Sequence, residues 1–279
     1  MHNAAFMALG LNWRYLAFEV PPDRLREAIA GAKAMRFAGL NLTVPHKLLA
    51  LDLVDALDVS AVMWGSVNTV RFEARAANGE WKPLAETEAS PEPGAEIRAQ
   101  GFNTDAEAIV TALRADLKLE LRGSRILLLG AGGAGRTAAL KFAAEGAASL
   151  FLVNRTEARA RFAAEEIRKQ FPGVSVSVGY PRDEVDLMVN ATTLGLRADD
   201  PSPLDERQFP ARRATAVYDM IYNPAETPLL KAAAKAGCRA ANGLGMLLHQ
   251  GARALEIWTG RAAPVETMRR ALEESLYGR

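Results

Sequence analysis

The chain has 279 residues, 49% of them hydrophobic and 24% charged, with a formal net charge of +1. This length predicts two domains, and a net charge near zero gives no general field for nucleic acid or an anionic membrane, so neither is expected as a partner. A single cysteine excludes an intramolecular disulfide, no apolar run reaches the roughly 18 residues that span a bilayer, and the N-terminus lacks a signal-peptide pattern, so we expect a cytoplasmic protein.

The first hundred residues alternate between strand-like and helix-like segments. Residues 15–20 (YLAFEV) predict a strand, and residues 21–34 predict a helix opened by proline and aspartate. Residues 39–44 (GLNLTV) predict a second strand, residues 48–57 a helix, and residues 66–74 (SVNTVRFEA) a further strand. These residues therefore form an α/β unit of their own.

Residues 78–98 interrupt this alternation because they contain three prolines, five glutamates and few apolar side chains. We interpret them as a mobile surface loop between two paired strands, with no chemistry of its own. Such a loop should be replaceable by a short turn.

The second half has a more regular texture. Six short apolar runs alternate with helical stretches, and they read RILLLG, SLFLVN, VSVSVG, DLMVNA, TAVYDM and CRAAN. Residues 136–145 and 158–170 are rich in Ala, Glu, Arg and Lys and lack proline, which predicts helices. Apolar strands separated by helices are typical of a doubly wound parallel sheet. After residue 242 the pattern is helical, over residues 246–259 and 264–276.

A glycine motif follows the first strand of this half. Gly130, Gly132 and Gly135 form G-x-G-x-x-G between a strand and a helix, and a second strand follows at the length of a βαβ unit. The first glycine permits the tight turn, the second lets the backbone approach a pyrophosphate, and the third lets helix and strand pack closely. Free N–H groups at the helix start then face the anion. The motif predicts a dinucleotide site.

The end of the second strand predicts which dinucleotide binds. NAD sites usually place a carboxylate there for the ribose 2′-hydroxyl, whereas this strand ends in Asn154, Arg155 and Thr156, with Arg159 one turn later. A guanidinium suits a 2′-phosphate by its charge and its forked donors. We therefore predict NADP.

Polar residues in the first half have ordinary structural explanations when each is taken singly. Lys47 is typical of a surface lysine, and Asp105 of a charged helix start. Together, however, the motifs NLTVPHK, SVNT, NTD, GAGGAGR, VNRT, NATTLG, YDMIYNP and NGLGMLLHQ occur in this order. In these motifs the chain resembles the shikimate dehydrogenase family over essentially its whole length.

The resemblance implies an α/β fold with two domains. Residues 1–105 plus 243–279 would form the substrate domain, and residues 106–242 a doubly wound Rossmann domain that binds NADP. The implied reaction is the reversible NADPH-dependent reduction of 3-dehydroshikimate to shikimate, on the route to chorismate and the aromatic amino acids. The implied partner is this small-molecule substrate, and a homodimer is the assembly considered, although the sequence does not reveal the oligomeric state.

The resemblance also implies the site residues, position by position. The catalytic pair would be Lys47 and Asp105. The substrate ligands would be Asn41, Thr43, Asn68 and Gln250 at the ring hydroxyls, with Tyr222 at the carboxylate. The pyrophosphate would lie on Gly130, Ala131, Gly132, Gly133, Ala134 and Gly135, the adenosine phosphate near Asn154, Arg155, Thr156 and Arg159, and the nicotinamide against Met220 and Gly243.

The chemistry of a ketone reduction supports this assignment independently. Hydride delivered to a carbonyl carbon leaves negative charge on the oxygen, so a donor is needed there. Lys47 qualifies by charge and reach, and Asp105 would orient it. The sequence leaves open whether Lys47 transfers the proton or only stabilises the alkoxide. Neutral Asn, Thr and Gln side chains suit a substrate with several hydroxyls.

One departure from the family pattern concerns the N-terminus. The family has a strand and a Ser-x-Ser segment upstream of the residues that match MHNAAF, and its serine hydroxyls bind the substrate carboxylate. We expect that the true start lies upstream of Met1, the alternative being a shortened member that binds substrate poorly.

Two further functions are compatible with the sequence. One is an NAD-dependent enzyme for quinate, against which Arg155 speaks, and the second is a catalytically weak dinucleotide-binding protein. No metal is expected, because three scattered histidines and one cysteine have no ligand spacing.

Overall fold

A computed structural model describes residues 1–86, 94–197 and 199–278 of the chain. The chain divides into two compact units, of which the first comprises Met1–Asp105 and Gln250–Arg279 and the second Ala106–His249. Among the described residues, no helix is long and apolar enough to cross a membrane.

The helices and strands are numbered separately in chain order. The helices are α1 (His2–Ala8), α2 (Leu25–Ala34), α3 (His46–Leu49), α4 (Val59–Trp64), α5 (Asp105–Leu117), α6 (Gly133–Ala144), α7 (Glu157–Gln170), α8 (Pro228–Lys235), α9 (Leu244–Thr259) and α10 (Val265–Tyr277). The strands are β1 (Gly39–Asn41), β2 (Ala56–Leu57), β3 (Thr69–Arg75), β4 (Trp81–Pro83), β5 (Ile97–Phe102), β6 (Arg125–Leu129), β7 (Ser149–Val153), β8 (Ser175–Val178), β9 (Val185–Asn190), β10 (Ala214–Asp219) and β11 (Arg239–Asn242).

The sheet of the first unit is mixed. Strand β3 pairs antiparallel with β5 along one edge, and with β1 and β4 at opposite ends of the other edge. Strand β2 pairs parallel with β5. Helix α2 contributes Leu25 and Ile29 to a core that also contains Val70 and Phe72 of the sheet. This sheet brings the ends of β1 and β5 and the start of β3 together, because Asn41 is opposite Thr69 and Thr69 is opposite Phe102.

The predicted strand at residues 15–20 is wrong. The segment has the apolar composition of a strand, but Leu16 and Phe18 are 65% and 64% exposed, and no described strand pairs with it. Side chains hold the segment instead, since the backbone N–H of Tyr15 donates to Asn3 Oδ1 at 2.7 Å and the backbone oxygen of Val20 lies 2.8 Å from His46 Nε2. An apolar segment forms a strand only where a neighbouring strand completes the backbone hydrogen bonds.

The predicted helix at residues 48–57 is also wrong in its second half. Helix α3 ends at Leu49 and passes through a 3₁₀ turn, Ala50–Asp52, into strand β2. The carboxylate of Asp55 accepts from the backbone N–H of Ala99 in β5 at 2.6 Å. This bond ties the chain to the sheet edge, where a strand is formed in place of the last helical turns.

Residues 78–98 connect two paired strands as predicted, since β3 pairs with β5, but their interpretation as a surface loop is wrong at both ends, and residues 87–93 lie outside the described part. Strand β4 pairs with β3, and Arg98 belongs to β5. Arg98 Nε donates to Glu73 Oε2 at 2.6 Å, and its guanidinium lies 4.5 Å from the ring centroid of Trp81. Glu73 is buried, so this segment contributes a charge partner to the interior of the sheet.

The second unit has the predicted doubly wound architecture. Its sheet has the strand order β11-β10-β9-β6-β7-β8, and every pairing among the described strands is parallel. The order reverses at β6, whose neighbours are β7 and β9, and ligands bind at such a point in open α/β sheets. The core on one side joins Leu127 and Val217 of the sheet to Leu229 of α8. Helix α9 contains the chain's return to the first unit, so the structural division falls at Gln250 and the predicted one at residue 243.

Candidate active site

In the first unit, a lysine and an aspartate form a close ion pair. Lys47 lies in the short helix α3, which follows a cis Val44-Pro45 bond, and Asp105 is the first residue of α5 directly after β5. Lys47 Nζ lies 2.6 Å from Asp105 Oδ2. The side chains are 25% and 12% exposed, so the pair is shielded but reachable from solvent. The structure therefore brings together the two residues that the sequence predicts to act as a pair.

The second oxygen of Asp105 is held by an amide. Asn68, which directly precedes β3, donates from Nδ2 to Asp105 Oδ1 and to Thr104 Oγ1, both at 2.9 Å. Its own oxygen accepts from the backbone N–H of Thr104 at 2.7 Å. Both hydrogens of this amide are thus donated within the protein. A lone pair of the carboxamide oxygen remains for a hydroxyl of a ligand.

The other predicted substrate ligands of the first unit, Asn41, Thr43 and Gln250, differ in exposure. Asn41, at the end of β1, accepts from the Tyr15 hydroxyl at 3.0 Å and donates to Thr69 Oγ1 at 3.1 Å, so its side chain is largely engaged within the protein. Thr43 is exposed, two residues further along. Gln250 is half-buried on α9, next to Gly251, at which an added Cβ would lie 2.2 Å from Met1.

The glycine loop of the second unit has the geometry that an anion requires. Gly130 has a φ of +104°, and an added Cβ would lie 2.9 Å from the carbonyl of Ala191. At Gly135 an added Cβ would lie 2.1 Å from the oxygen of Gly130, so helix and strand approach closely. At Gly132 no described atom would lie within 4 Å of an added Cβ. The loop between Gly130 and Gly135, with Ala131, Gly133 and Ala134, thus leaves a cradle at the start of α6 that fits a pyrophosphate.

The residues after strand β7 have two roles: Asn154 supports the glycine loop, and the arginines that follow are exposed. Asn154 Oδ1 accepts from the backbone N–H of Ala131 at 2.9 Å, and its Nδ2 donates to the oxygen of Thr156 at 2.8 Å. Asn154 therefore holds the glycine loop in position. Arg155 and Arg159 are exposed at the start of α7, with no carboxylate at the strand end. Their charge fits a phosphate on the adenosine ribose.

Met220 and Gly243 lie side by side at the ends of β10 and β11. An added Cβ at Gly243 would lie 2.0 Å from the oxygen of Met220, and the N–H of Gly243 donates to the oxygen of Ile221 at 3.0 Å. Only glycine fits there. Tyr222 lies two residues after Met220 in the sequence and is partly exposed. The residues predicted to face the nicotinamide are thus adjacent, and the second unit also contains Tyr222.

A buried polar cluster that the sequence reasoning missed holds these strand ends. Asp219, at the end of β10, accepts from Asn190 Nδ2 at 2.9 Å and from the Thr227 hydroxyl at 2.6 Å. Burial raises the pKa of Asp219. The motifs NATTLG and YDMIYNP contain Asn190 and Asp219 as the last polar residue of each strand, and this is the signal that could have found them.

The fold and these two sets of residues define a dinucleotide-dependent oxidoreductase. Three family models match the chain: the shikimate dehydrogenase substrate binding domain over residues 1–70, shikimate / quinate 5-dehydrogenase over residues 113–192, and the shikimate 5′-dehydrogenase C-terminal domain over residues 243–273. A curated relative, shikimate dehydrogenase (NADP(+)) of Methanopyrus kandleri, is 41% identical over 283 residues, which cover 99% of this chain and 90% of the relative. The chain belongs to the shikimate dehydrogenase family.

Solved structures agree with this assignment. A shikimate dehydrogenase crystallised in complex with NADP+ superimposes with a TM-score of 0.82 at 34% identity, over 99% of this chain and 89% of that one. Shikimate 5-dehydrogenase from Thermus thermophilus, in complex with NADP(H) and shikimate, gives a TM-score of 0.78 at 34% identity, over 99% and 93%. The predicted family and fold class are confirmed.

Proposed function

We propose that this chain catalyses the reversible, NADPH-dependent reduction of 3-dehydroshikimate to shikimate, in the biosynthesis of chorismate and the aromatic amino acids. The observation that carries the proposal is the Lys47–Asp105 pair, with Nζ and Oδ2 2.6 Å apart, in a chain of this family. The relatives named above, which carry shikimate dehydrogenase in their names, support the substrate.

The ammonium group of Lys47 meets the charge that forms on the carbonyl oxygen of the substrate. When bound, NADPH supplies the hydride for the carbonyl carbon, and the oxygen then requires a proton or a fixed positive charge. Lys47 can provide either; if it gives the proton, the neutral amine that remains can take the hydroxyl proton in the reverse reaction. Asp105 fixes the direction of the ammonium through Oδ2, while Asn68 fixes the carboxylate through Oδ1.

Neutral side chains of the first unit suit the hydroxyls of the substrate ring. We assign Thr43, Asn68 and Gln250 to direct contact and Asn41 to the support of the site, because its amide already bonds Thr69. Asn68 offers its oxygen, since both hydrogens are donated to Thr104 and Asp105. Tyr222 is assigned to the substrate carboxylate.

The cofactor is NADP, held by this chain's own groups. The open space at Gly132 and the start of α6 suit the pyrophosphate. Arg155 and Arg159 suit the 2′-phosphate, with Thr156 beside them and Asn154 holding the loop. Met220 and Gly243 form the surface for the nicotinamide.

A steady-state assay tests the proposal and separates it from the two further functions. Oxidation of shikimate with NADP should be fast, whereas quinate with NAD should be turned over at a small fraction of that kcat/KM. A preference for quinate with NAD would establish the quinate enzyme, and NADP binding without turnover of either substrate would establish a catalytically weak protein. The cytoplasmic location and the homodimer remain predictions from the sequence.

A further inference from the structure

A chain of hydrogen bonds in the first unit runs from Tyr15, whose ring is stacked on that of His2, to the Lys47–Asp105 pair. Its members are polar side chains from five places in the sequence. In order, they are Tyr15, Asn41, Thr69, Thr104, Asn68, Asp105 and Lys47.

The inner half of this hydrogen-bond chain, from Thr104 to Lys47, determines where the carboxylate of Asp105 points. Thr104 Oγ1 accepts from Asn68 Nδ2 at 2.9 Å, and the backbone N–H of Thr104 donates to Asn68 Oδ1 at 2.7 Å. These two bonds fix the plane of the Asn68 amide, which leaves its second hydrogen directed at Asp105 Oδ1. Asn68 and Thr104 are each 1% exposed, so bulk water has little access to these bonds.

The outer half fixes the threonine hydroxyls. Thr69 Oγ1 lies 3.3 Å from Thr104 Oγ1 and accepts from Asn41 Nδ2 at 3.1 Å. The hydroxyl of Tyr15 donates to Asn41 Oδ1 at 3.0 Å, which orients that amide. The ring of Tyr15 is in turn stacked on His2, with the centroids 4.4 Å apart.

This chain of hydrogen bonds holds the side chains in position and does not conduct protons. It contains two carboxamides, Asn41 and Asn68, and an amide that donates from nitrogen and accepts at oxygen has no proton to pass on at neutral pH. Rigid buried hydrogen bonds instead restrict the motion of the groups at their end. An oriented lysine–carboxylate pair is what a developing alkoxide requires, because a small misplacement of the donor lowers the rate.

We propose that Thr104, Thr69 and Tyr15 are positioning residues for the reaction, acting on Lys47 through Asn68 and Asp105. The proposal rests on the proposed function for its kinetic effect. It assigns to Thr104 the central role, because its hydroxyl joins the amide of Asn68 to Thr69, and because loss of the hydroxyl leaves a buried N–H of Asn68 without an acceptor.

Thr104→Val, which preserves the shape of the side chain, tests the role of the hydroxyl. We expect kcat for shikimate to fall about tenfold, with the KM values for shikimate and NADP within about threefold of wild type, because the lost bond affects the direction of the donor more than binding. Thr104→Ser should restore kcat to within about threefold of wild type, since it restores the hydroxyl. Thr111→Val, on the exposed face of helix α5, is the matched control and should leave kcat unchanged.

A second readout does not depend on turnover. Acetic anhydride should acetylate Lys47 faster in Thr104→Val than in wild type, relative to Lys33 in the same sample, as measured by peptide mass spectrometry. Lys33 has its own partner, Asp55, at 2.7 Å and serves as the internal reference. An inactive wild type with this change in labelling would contradict the proposed function and support the positioning role.

Two results would overturn the proposal. One is a Thr104→Val variant that folds and keeps kcat and the labelling rate of Lys47 at wild-type values. The other is an equal loss of kcat in the Val and Ser variants, which would assign the effect to packing. If Thr104→Val does not fold, Tyr15→Phe carries the test, because it removes only the terminal hydroxyl; a fall in kcat of about threefold supports the proposal and an unchanged kcat contradicts it.

Discussion

Two lysine–aspartate pairs in the first unit show that distance alone does not identify a catalytic residue. Lys47–Asp105 and Lys33–Asp55 have nitrogen–oxygen distances of 2.6 and 2.7 Å. They differ in their surroundings: the side chain of Asp105 is 12% exposed and that of Asp55 is 47% exposed. Asn68 bonds the second oxygen of Asp105, whereas Asp55 accepts from the backbone N–H of Ala99 within strand β5. The buried support distinguishes the pair that we propose to be catalytic from Lys33–Asp55.

This contrast provides a matched test at residue scale. We expect Lys47→Ala to lower kcat for shikimate by about 10² or more while the shikimate KM changes far less, because the ammonium is needed once charge develops on oxygen. Steady-state kinetics measure both constants. Lys33→Ala removes the other pair and should keep kcat near wild type. Near-normal turnover with a raised KM in Lys47→Ala would make Lys47 a binding residue only.

The choice of cofactor is also a property of single residues. We expect Arg155→Ala to raise the NADP KM at least about tenfold, because a charge-assisted bond to phosphate contributes about 1.5–3 kcal/mol. The NAD KM should hardly change, as NAD lacks the 2′-phosphate. Arg161→Ala, in helix α7 just after Arg155 and paired with Glu157, is the control. An equal loss with both cofactors would contradict the assignment of Arg155 to the phosphate.

At the scale of elements, strand β4 and its neighbours show why composition misled the interpretation of residues 78–98. Trp81 of β4 lies under two guanidinium groups, those of Arg75 and Arg98, at 5.9 and 4.5 Å from its ring centroid. Arg98 pairs with buried Glu73, whereas Arg75 pairs with exposed Glu96 at 3.1 Å. The two arginines therefore form a natural comparison.

Arg98→Ala should destabilise the first unit far more than Arg75→Ala. We expect a loss of about 2–3 kcal/mol of unfolding free energy for Arg98→Ala, since a buried carboxylate loses a partner, and less than about 1 kcal/mol for Arg75→Ala. Urea titrations followed by tryptophan emission measure both changes. Equal effects of the two substitutions would mean that the contact with Trp81, and not the bond to Glu73, carries the stability.

Helix α1 introduces a titratable group into the first unit. His2 is 4% exposed and packs against the rings of Tyr15 and Trp258, and burial lowers its pKa from 6.5 to about 4. The unfolded chain therefore binds a proton between these two pH values while the folded chain does not. The stability that depends on the neutral form of His2 is fully present above pH 6.5 and is lost as the pH falls toward 4.

This linkage predicts an acid-dependent loss of up to about 3 kcal/mol that belongs to His2. The free energy of unfolding of the wild type and of His2→Phe, measured between about pH 7 and pH 4, should differ progressively by this amount. Phe retains a ring for the contact with Tyr15 and has no proton to bind. Parallel pH profiles for the two proteins would contradict the assignment.

At the scale of the whole molecule, the two units have different ligands and different optical probes. All four tryptophans, Trp13, Trp64, Trp81 and Trp258, belong to the first unit, and the glycine loop belongs to the second. Tryptophan emission therefore reports the first unit, whereas far-UV circular dichroism reports both.

NADP should stabilise the second unit more than the first. At a concentration of about 100 times its dissociation constant, a ligand adds about 2.7 kcal/mol to the state that binds it. We expect the dichroism-detected denaturant transition to shift upward with NADP and the tryptophan transition to shift less. The Arg155→Ala variant should reduce the shift. Identical shifts of both transitions would mean that the two units unfold as one.

The architecture of the second unit can be predicted from the sequence, because the two patterns that indicate it, the apolar strands and the glycine motif, are local. Strands such as β6 (RILLL) are near-continuous apolar runs, and the glycines at 130 and 135 report a turn and a close approach that a larger residue would obstruct. The regularity of the βαβ repeat leaves few possible orders of the elements.

The hydrogen-bond partners of the polar residues in the first unit could be identified only from the fold. Residues 15–20 have the composition of a strand, yet no described strand pairs with them, and the hydrogen bond of Tyr15 with Asn41 joins residues 26 positions apart. Thr104 resembles a helix cap in the sequence, but its hydroxyl bonds Asn68, 36 positions away. Hydrogen bonds between distant segments leave no periodicity in the sequence, because their geometry exists only after the sheet has brought the segments together.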